Sequence, residues 1–287
     1  MATPKVIYRD STIPRDDSWG RYVSARIFKN NENWLCAMTG LAGVGKTYTA
    51  LSKAIEWQKY GFSFSLDNMV FSFLDLMKLI NYGNLKRGSI IIIEEPQTEI
   101  NSKTWQSEIN KCFFQLASTF RHRGYVVFFT NPFLHDLDKS VRKLFNAEWN
   151  VLGKDQNLML AKVKPQALEW NSQKDDWYRH YLKVVYKPEG KSRYVKRKLK
   201  QIYVKHPPKS ISEPYEELKL AFTTALNRKI QAKLEEIQRK EAPKHQEPNI
   251  KCSKCAYEWC TNTKLRRVKC PSCGHIVAVV NNMPANN

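Results

Sequence analysis

Apolar residues along the chain gather into short dense runs set between polar stretches. Residues 34–39 (Trp-Leu-Cys-Ala-Met-Thr), 89–93 (Ser-Ile-Ile-Ile-Ile) and 125–130 (Tyr-Val-Val-Phe-Phe-Thr) are apolar almost without interruption. Such runs, lacking polar alternation, suit strands buried on both faces of a parallel sheet. Residues 69–72 fit a further strand. Between the runs the period changes to that of a helix. Residues 46–60 follow a glycine-rich turn, residues 73–80 place Phe73, Leu76, Met77 and Ile80 on one face, and residues 104–120 carry a stripe from Trp105 to Phe120. Residues 136–145 predict another helix. Strands alternating with helices up to about residue 150 predict an α/β domain with a mainly parallel sheet.

The flanks read differently. Residues 1–33 are polar and irregular, which predicts an N-terminal arm. The core is expected over 34–165, and a basic β-hairpin and helical extension over 166–240. The hairpin lies in 178–204, turning at Lys187-Pro-Glu-Gly-Lys191. A helix starts near Ser212 and Pro214, with a stripe of Tyr215, Leu218, Phe222, Leu226, Ile230, Leu234 and Ile237 read as packing on its own domain. Residues 241–249 read as a linker, 250–280 as a small metal module and 281–287 as a tail.

Charge changes the picture of the partner. Of 287 residues, 47 are Lys or Arg and 27 Asp or Glu, for a net charge of +20. Only a quarter of that excess lies within residues 1–150. A field of this sign and size favours a polyanion, with DNA ahead of a membrane surface. No apolar run approaches the roughly 20 residues needed to span a bilayer, and no secretory signal is visible, so a soluble protein of the cytoplasm (the host cytoplasm for a virus) is expected.

Gly40-Leu-Ala-Gly43-Val44-Gly45-Lys46-Thr47 matches the phosphate-binding loop G-x-x-x-x-G-K-[ST], with an apolar run before it and a helix pattern after it. The glycines let backbone N–H groups face phosphates, Lys46 reaches the β- and γ-phosphates, and Thr47 ligates Mg²⁺. Gly40, Gly43, Val44, Gly45, Lys46, Thr47 and Tyr48 are therefore the candidate ATP-binding residues. The run 90–93 delivers Glu94 and Glu95 at its C-terminal end. Glu94 is placed to hold Mg²⁺ through water, beside Thr47, and Glu95 to polarise the attacking water. Thr130-Asn131-Pro132 ends the next run, placing Asn131 to sense the γ-phosphate. Arg121, Arg123 and Arg142 are candidates for a cation supplied to a neighbouring subunit, with Arg142 retained in the catalytic set.

Seven cysteines are present, and five crowd into 252–273. Cys252-x-x-Cys255 and Cys270-x-x-Cys273 have the spacing of a structural Zn²⁺ site, a zinc ribbon with four thiolates and no open position. Cys260 reads as a spare thiol and His275 as a weaker competing ligand. Basic residues from Lys251 to Lys269, with Tyr257 and Trp259, make a DNA- or protein-contact surface. The basic, aromatic residues of 178–200 suit a DNA backbone in the same way.

The order of the loop, Glu94-Glu95 and Thr130-Asn131 resembles P-loop ATPases of the additional-strand class, and more narrowly the FtsK–HerA superfamily of DNA-pumping motors. The stretches 104–123, 126–132 and 137–144 are similar to Zot-like ATPases of archaea and their mobile elements. The resemblance implies a RecA-like sheet, a homo-oligomeric, often hexameric ring, Lys46 and Thr47 on phosphate and Mg²⁺, Glu95 as base and Asn131 as sensor. Glu94 stands where Asp is usual. The reading is an ATP-hydrolysing DNA motor. A nucleotide-switched DNA-binding protein and a small-molecule kinase are the other readings the residues leave open.

Overall fold

The computed structural model describes residues 5–7, 17–94, 111–112, 115–116, 119–120, 122–137, 139–155, 159–188, 192–241, 250–261 and 265–279. In chain order the elements are β1 (Lys5–Ile7), α1 (Ser18–Ser24), β2 (Trp34–Thr39), α2 (Lys46–Glu56), β3 (Met69–Val70), α3 (Phe73–Tyr82), β4 (Ile90–Glu94), β5 (Val126–Thr130) and α4 (Lys139–Arg142). They continue as β6 (Ala147–Asp155), β7 (Leu160–Asn171), β8 (Asp176–His180), β9 (Lys183–Tyr186), β10 (Val195–Lys198), β11 (Ile202–Lys205) and α5 (Lys209–Glu241). Four short strands follow: β12 (Ile250–Lys251), β13 (Glu258–Trp259), β14 (Arg267–Lys269) and β15 (Ile276–Ala278). The chain forms two compact units that meet within α5, Met1–Phe222 and Thr223–Asn287.

Eight strands of the first unit make one sheet, ordered β11-β7-β6-β2-β5-β4-β3, with β8 on the free stretch of β7. From β6 to β3 every pairing is parallel, while β7, β8 and β11 add an antiparallel wing. The continuous apolar runs are explained by burial on both faces. Trp34, Cys36, Met38, Ile90, Ile92, Val126 and Phe128 pack to one side, and Leu35, Ala37, Ile91, Ile93, Val127 and Phe129 to the other. The first side holds α1, α2 and a cluster of indoles: Trp34 packs on Trp57 at 5.4 Å and Trp19 edge-on to Trp149 at 5.4 Å between ring centres. The mainly parallel α/β sheet expected from the sequence is the one observed.

Several expectations need correction. The N-terminal arm is not irregular where it is described. Residues 18–29 are helical, and Trp19, Val23 and Ile27, four apart, are fully buried. Asp17 caps α1 through Trp19 N–H and forms a buried ion pair with Lys53 of α2 at 3.0 Å. The helix expected over 136–145 shrinks to the single turn of α4. After it, Leu144 and Phe145 bond back three residues rather than four, although Leu134, Leu137, Val141 and Phe145 are all buried as the stripe requires. The extension after 165 is not separate from the core, because β7 and β11 belong to the same sheet. The stripe of α5 is only partly packed: Tyr215 is buried and Phe222 stacks on Phe71 at 4.7 Å, but Ile230, Leu234 and Ile237 are exposed. Most of the helix expected over 104–120 lies outside the described residues.

Candidate nucleotide site and metal centre

The loop between β2 and α2 takes its shape from its glycines. Gly40 has φ +141°, and a Cβ there would lie 2.5 Å from the Val151 carbonyl oxygen. Gly45, at φ +94°, caps α2 in the left-handed region that side chains disfavour. The turn leaves the N-terminus of an eleven-residue helix pointing into a cavity, which is the arrangement that binds phosphate. Lys46 is buried, and its ammonium donates to the carbonyls of Gly40 at 2.9 Å and Leu41 at 3.0 Å. It thus lies across the loop's own mouth.

Strand register brings the chemistry together. Met38, Thr130 and Glu94 lie in one row across β2, β5 and β4. The loop strand and the acidic strand are therefore separated by β5, and Asn131 follows the row on β5. Its N–H donates to Met38 O at 3.0 Å, and Gly40 N–H donates to Pro132 O at 3.0 Å, extending the parallel pairing into the loop. The Asn131 side chain is fully buried, yet neither its Oδ1 nor its Nδ2 has a partner among the described residues. A buried amide left unsatisfied is costly, and a ligand or water at this point would satisfy it.

Glu94 is 3% exposed. Its Oε1 accepts from Thr47 Oγ1 at 3.2 Å, Tyr215 OH at 2.9 Å and Lys219 Nζ at 2.7 Å, while Oε2 has no partner among the described residues. Thr47 and Glu94, the pair expected to hold Mg²⁺, are thus joined directly. Tyr215 and Lys219 stand one turn apart on the same face of α5. Neither is prominent in the sequence as a site residue. The available signal is a lysine four residues after Tyr215 and three before Phe222, on the apolar side of an amphipathic helix. Burial first, and then the Glu94 charge, hold the Tyr215 phenol protonated far above its ordinary range.

Beside the loop is a cavity of about 530 Å³, within the range that small ligands occupy. Its walls include Tyr48, Leu160, Ala161, Val204, His206 and Lys219. The ring of Tyr48, the residue after the loop, meets His206 edge-on at 4.4 Å. Burial, and then its hydrogen bond to the Glu216 carboxylate, push the Tyr48 phenol up to about 12. Gly43, Gly45, Lys46, Thr47 and Tyr48 all line this cavity. Val44 turns instead towards the core, and Gly40 lies beneath the loop against Val151. Arg142 ends α4 and is not among the cavity residues; its Nε is buried without a partner among the described residues. Glu95 and Arg121 lie outside the described residues.

The second unit carries the cysteine cluster. The sulfurs of Cys252, Cys255, Cys270 and Cys273 all lie within 4.8 Å of one another, with Cys252 and Cys273 at 3.6 Å and Cys255 and Cys270 at 3.7 Å. Four thiolates around one Zn²⁺ at about 2.3 Å would be about 3.8 Å apart, so the set fits that ion. The two knuckles are alike. In each, the residue four after the first cysteine has positive φ, Ala256 at +58° and Gly274 at +71°, and its N–H bonds back to that cysteine. The thiols differ in acidity. Cys252 falls to about 7, because backbone and thiol hydrogen bonds outweigh its desolvation. Cys273 rises to about 12, because its thiol neighbours outweigh a backbone hydrogen bond at His275. A dication would hold all four deprotonated. Neither Cys260 nor His275 belongs to the cluster.

On β10 Lys196, Arg197 and Lys198 are exposed, whereas Tyr186 of the paired β9 is buried. In the second unit Tyr257 and Trp259 stack at 6.1 Å with Tyr257 47% exposed. No helix among the described residues is long and apolar enough to cross a membrane.

No family model and no curated protein sequence matches the chain. Among solved structures it is similar to the N-terminal domain of zonular occludens toxin from Neisseria meningitidis, at 16% identity and TM-score 0.31, over 52% of this chain and 94% of that one. A RuvB variant from Thermotoga maritima aligns at 18% identity and TM-score 0.30, over 43% of this chain and 39% of that one. A KaiC-like protein from Pyrococcus horikoshii aligns at 12% identity and TM-score 0.23, over 62% and 89%. Loop, strand order and acidic strand agree with one another. The first unit is an α/β fold with a mainly parallel sheet and a P-loop turn between β2 and α2.

Proposed function

We propose that the protein is an ATPase of the FtsK–HerA type, in the Zot-like branch, that couples ATP hydrolysis to the movement or remodelling of DNA. The observation that carries the nucleotide reading is the direct pairing of Thr47 with the buried Glu94 at the open end of the loop. Lys46 and the N-terminus of α2 would receive the phosphates, and the cavity beside Tyr48 and His206 has room for a nucleoside. Thr47 and Glu94 would hold Mg²⁺, which supplies charge neutralisation on the phosphates. Glu95, next along the acidic strand, takes the proton of the attacking water. Asn131 orients that water or the γ-phosphate, and its unsatisfied buried amide supports this role. Transition-state charge calls for a further cation, which Arg142 of a neighbouring subunit would supply in a ring.

DNA is the partner that the net charge of +20 favours. The exposed Lys196–Lys198 row suits phosphates, and the Tyr257–Trp259 stack suits bases. The cysteine cluster would hold Zn²⁺ as a structural ion, since this short segment has little core of its own.

ATP hydrolysis by the wild type and Glu95→Gln, each with and without single- and double-stranded DNA, tests the reading. DNA-stimulated turnover, lost in the variant, is the expected result. DNA binding with negligible turnover in every condition would replace the motor with a nucleotide-switched DNA-binding protein. Transfer of phosphate to an acceptor other than water would make it a kinase.

A further inference from the structure

Three donors converge on one oxygen of Glu94, and they are not equivalent. Thr47 and Tyr215 are neutral, while Lys219 brings a full positive charge at 2.7 Å. A metal ligated by Thr47 and held through water by Glu94 would take the space beside Glu94 Oε1. An ammonium and a dication there repel each other and compete for the same oxygen. Lys219 also lies over the Tyr215 ring, 5.8 Å from its centre, at the rim of the cavity. Its side chain is 39% exposed and lines the loop cavity, whereas α5 is fixed by the buried Tyr215 and by Phe222 stacked on Phe71.

We propose that Lys219 is a positioning residue that keeps the metal's place: it neutralises Glu94 while the loop is free of nucleotide, excludes a lone divalent cation, and releases Oε1 to a metal that arrives on nucleotide phosphates. The polyphosphate makes the exchange favourable. It carries the dication in as a net anion and gives the displaced ammonium another negative partner on the cavity wall. Binding is thereby ordered, with metal and nucleotide entering together. This inference rests on reading Gly40–Thr47 as a nucleotide loop.

Mn²⁺ binding to the nucleotide-free full chain, followed by electron paramagnetic resonance, tests it. The wild type is expected to bind Mn²⁺ weakly, and Lys219→Met at least about tenfold more tightly, because a competing charge is gone. Lys219→Arg, which keeps the charge, should behave as wild type, and Lys219→Met combined with Glu94→Gln should lose the gain. Unchanged Mn²⁺ affinity in Lys219→Met, or a gain that survives Glu94→Gln, overturns the proposal. A measurement on the wild type avoids any folding defect of the variants. Labelling of Lys219 by an amine reagent should change when Mn²⁺ and a non-hydrolysable ATP analogue are added together but not with Mn²⁺ alone, and constant labelling counts against the exchange. The loop reading stands or falls separately, on fluorescent-ATP binding by wild type against Lys46→Ala. The nucleotide-free Mn²⁺ comparison decides the role of Lys219 either way.

Discussion

Thr47 Oγ1 lies 3.2 Å from Glu94 Oε1, although the two residues are 47 positions apart, one in the first turn of α2 and the other at the end of β4. Their meeting depends on β5, which spaces β2 from β4 and leaves the loop helix and the acidic strand opening on one side. Removing the Thr47 hydroxyl should therefore disable the metal rather than the phosphate grip. Thr47→Ala is expected to keep metal-free nucleotide binding and lose the Mg²⁺ enhancement. Lys46→Ala should lose nucleotide affinity by about a hundredfold with or without metal, a size typical of a phosphate-directed donor. Calorimetric titration with ATP in Mg²⁺ and in a chelator separates the two patterns.

Asn131 offers a cleaner separation of stability from activity. Its buried amide has no partner among the described residues, so Asn131→Ala removes no hydrogen bond among them. The melting temperature should stay level or rise, while hydrolysis falls about 10- to 100-fold if the amide orients water. A large loss of stability with unchanged turnover would assign Asn131 to the fold alone.

The ion pair below α2 should show in alkaline unfolding. Burial alone would lower the affinity of Lys53 for its proton, but Asp17 and Glu56 outweigh it and raise its pKa above the ordinary 10.5. A raised lysine contributes stability that is fully present below the unfolded value and is lost as pH climbs through the folded one. Lys53→Met leaves Asp17 buried without its cation and should cost about 3–5 kcal/mol near neutral pH. The gap between wild type and variant in urea unfolding should hold steady up to about pH 10 and narrow above it.

Removing the metal should affect the second unit alone. Chelation is expected to expose Cys252, Cys255, Cys270 and Cys273 to alkylation, whereas Cys112 and Cys260, already exposed, react beforehand. Acid should release the ion as the thiolates take up protons. Thiol mass-labelling, read beside melting of the loop unit, checks both halves of the expectation. A loop unit that melts with the chelated ribbon would contradict it.

The strands were legible in the sequence because each carries an unbroken apolar run, and a strand buried on both faces leaves no other reading for Ile90–Ile93 or Val126–Phe129. The phosphate loop and the cysteine knuckles were legible for a related reason: their chemistry fixes residue types at short spacings. Two things were not. The helical residues 18–29 hide their Trp19, Val23 and Ile27 stripe among charged neighbours, so the sequence reads there as an arm. Lys219 reaches Glu94 across 125 positions, and nothing local to either residue marks that meeting. The apolar stripe of α5 pointed to Leu218, which is exposed, while its charged neighbour faces the site. A lysine on a packed helix face reads as solvated until its buried partner is known.

The indoles packed under the sheet give the molecule an optical signature of its own. Trp19, Trp34, Trp57 and Trp149 lie at 5.4–6.4 Å from one another in the pairs that touch, all tilted or edge-on, and all fully buried. Chromophores held at fixed angles and such short range couple their transitions, so they should dominate the near-ultraviolet circular dichroism. Trp259 belongs to the second unit, with the cysteine knuckles. Melting of the loop unit thus carries its own colour, which unfolding of the cysteine module should leave in place.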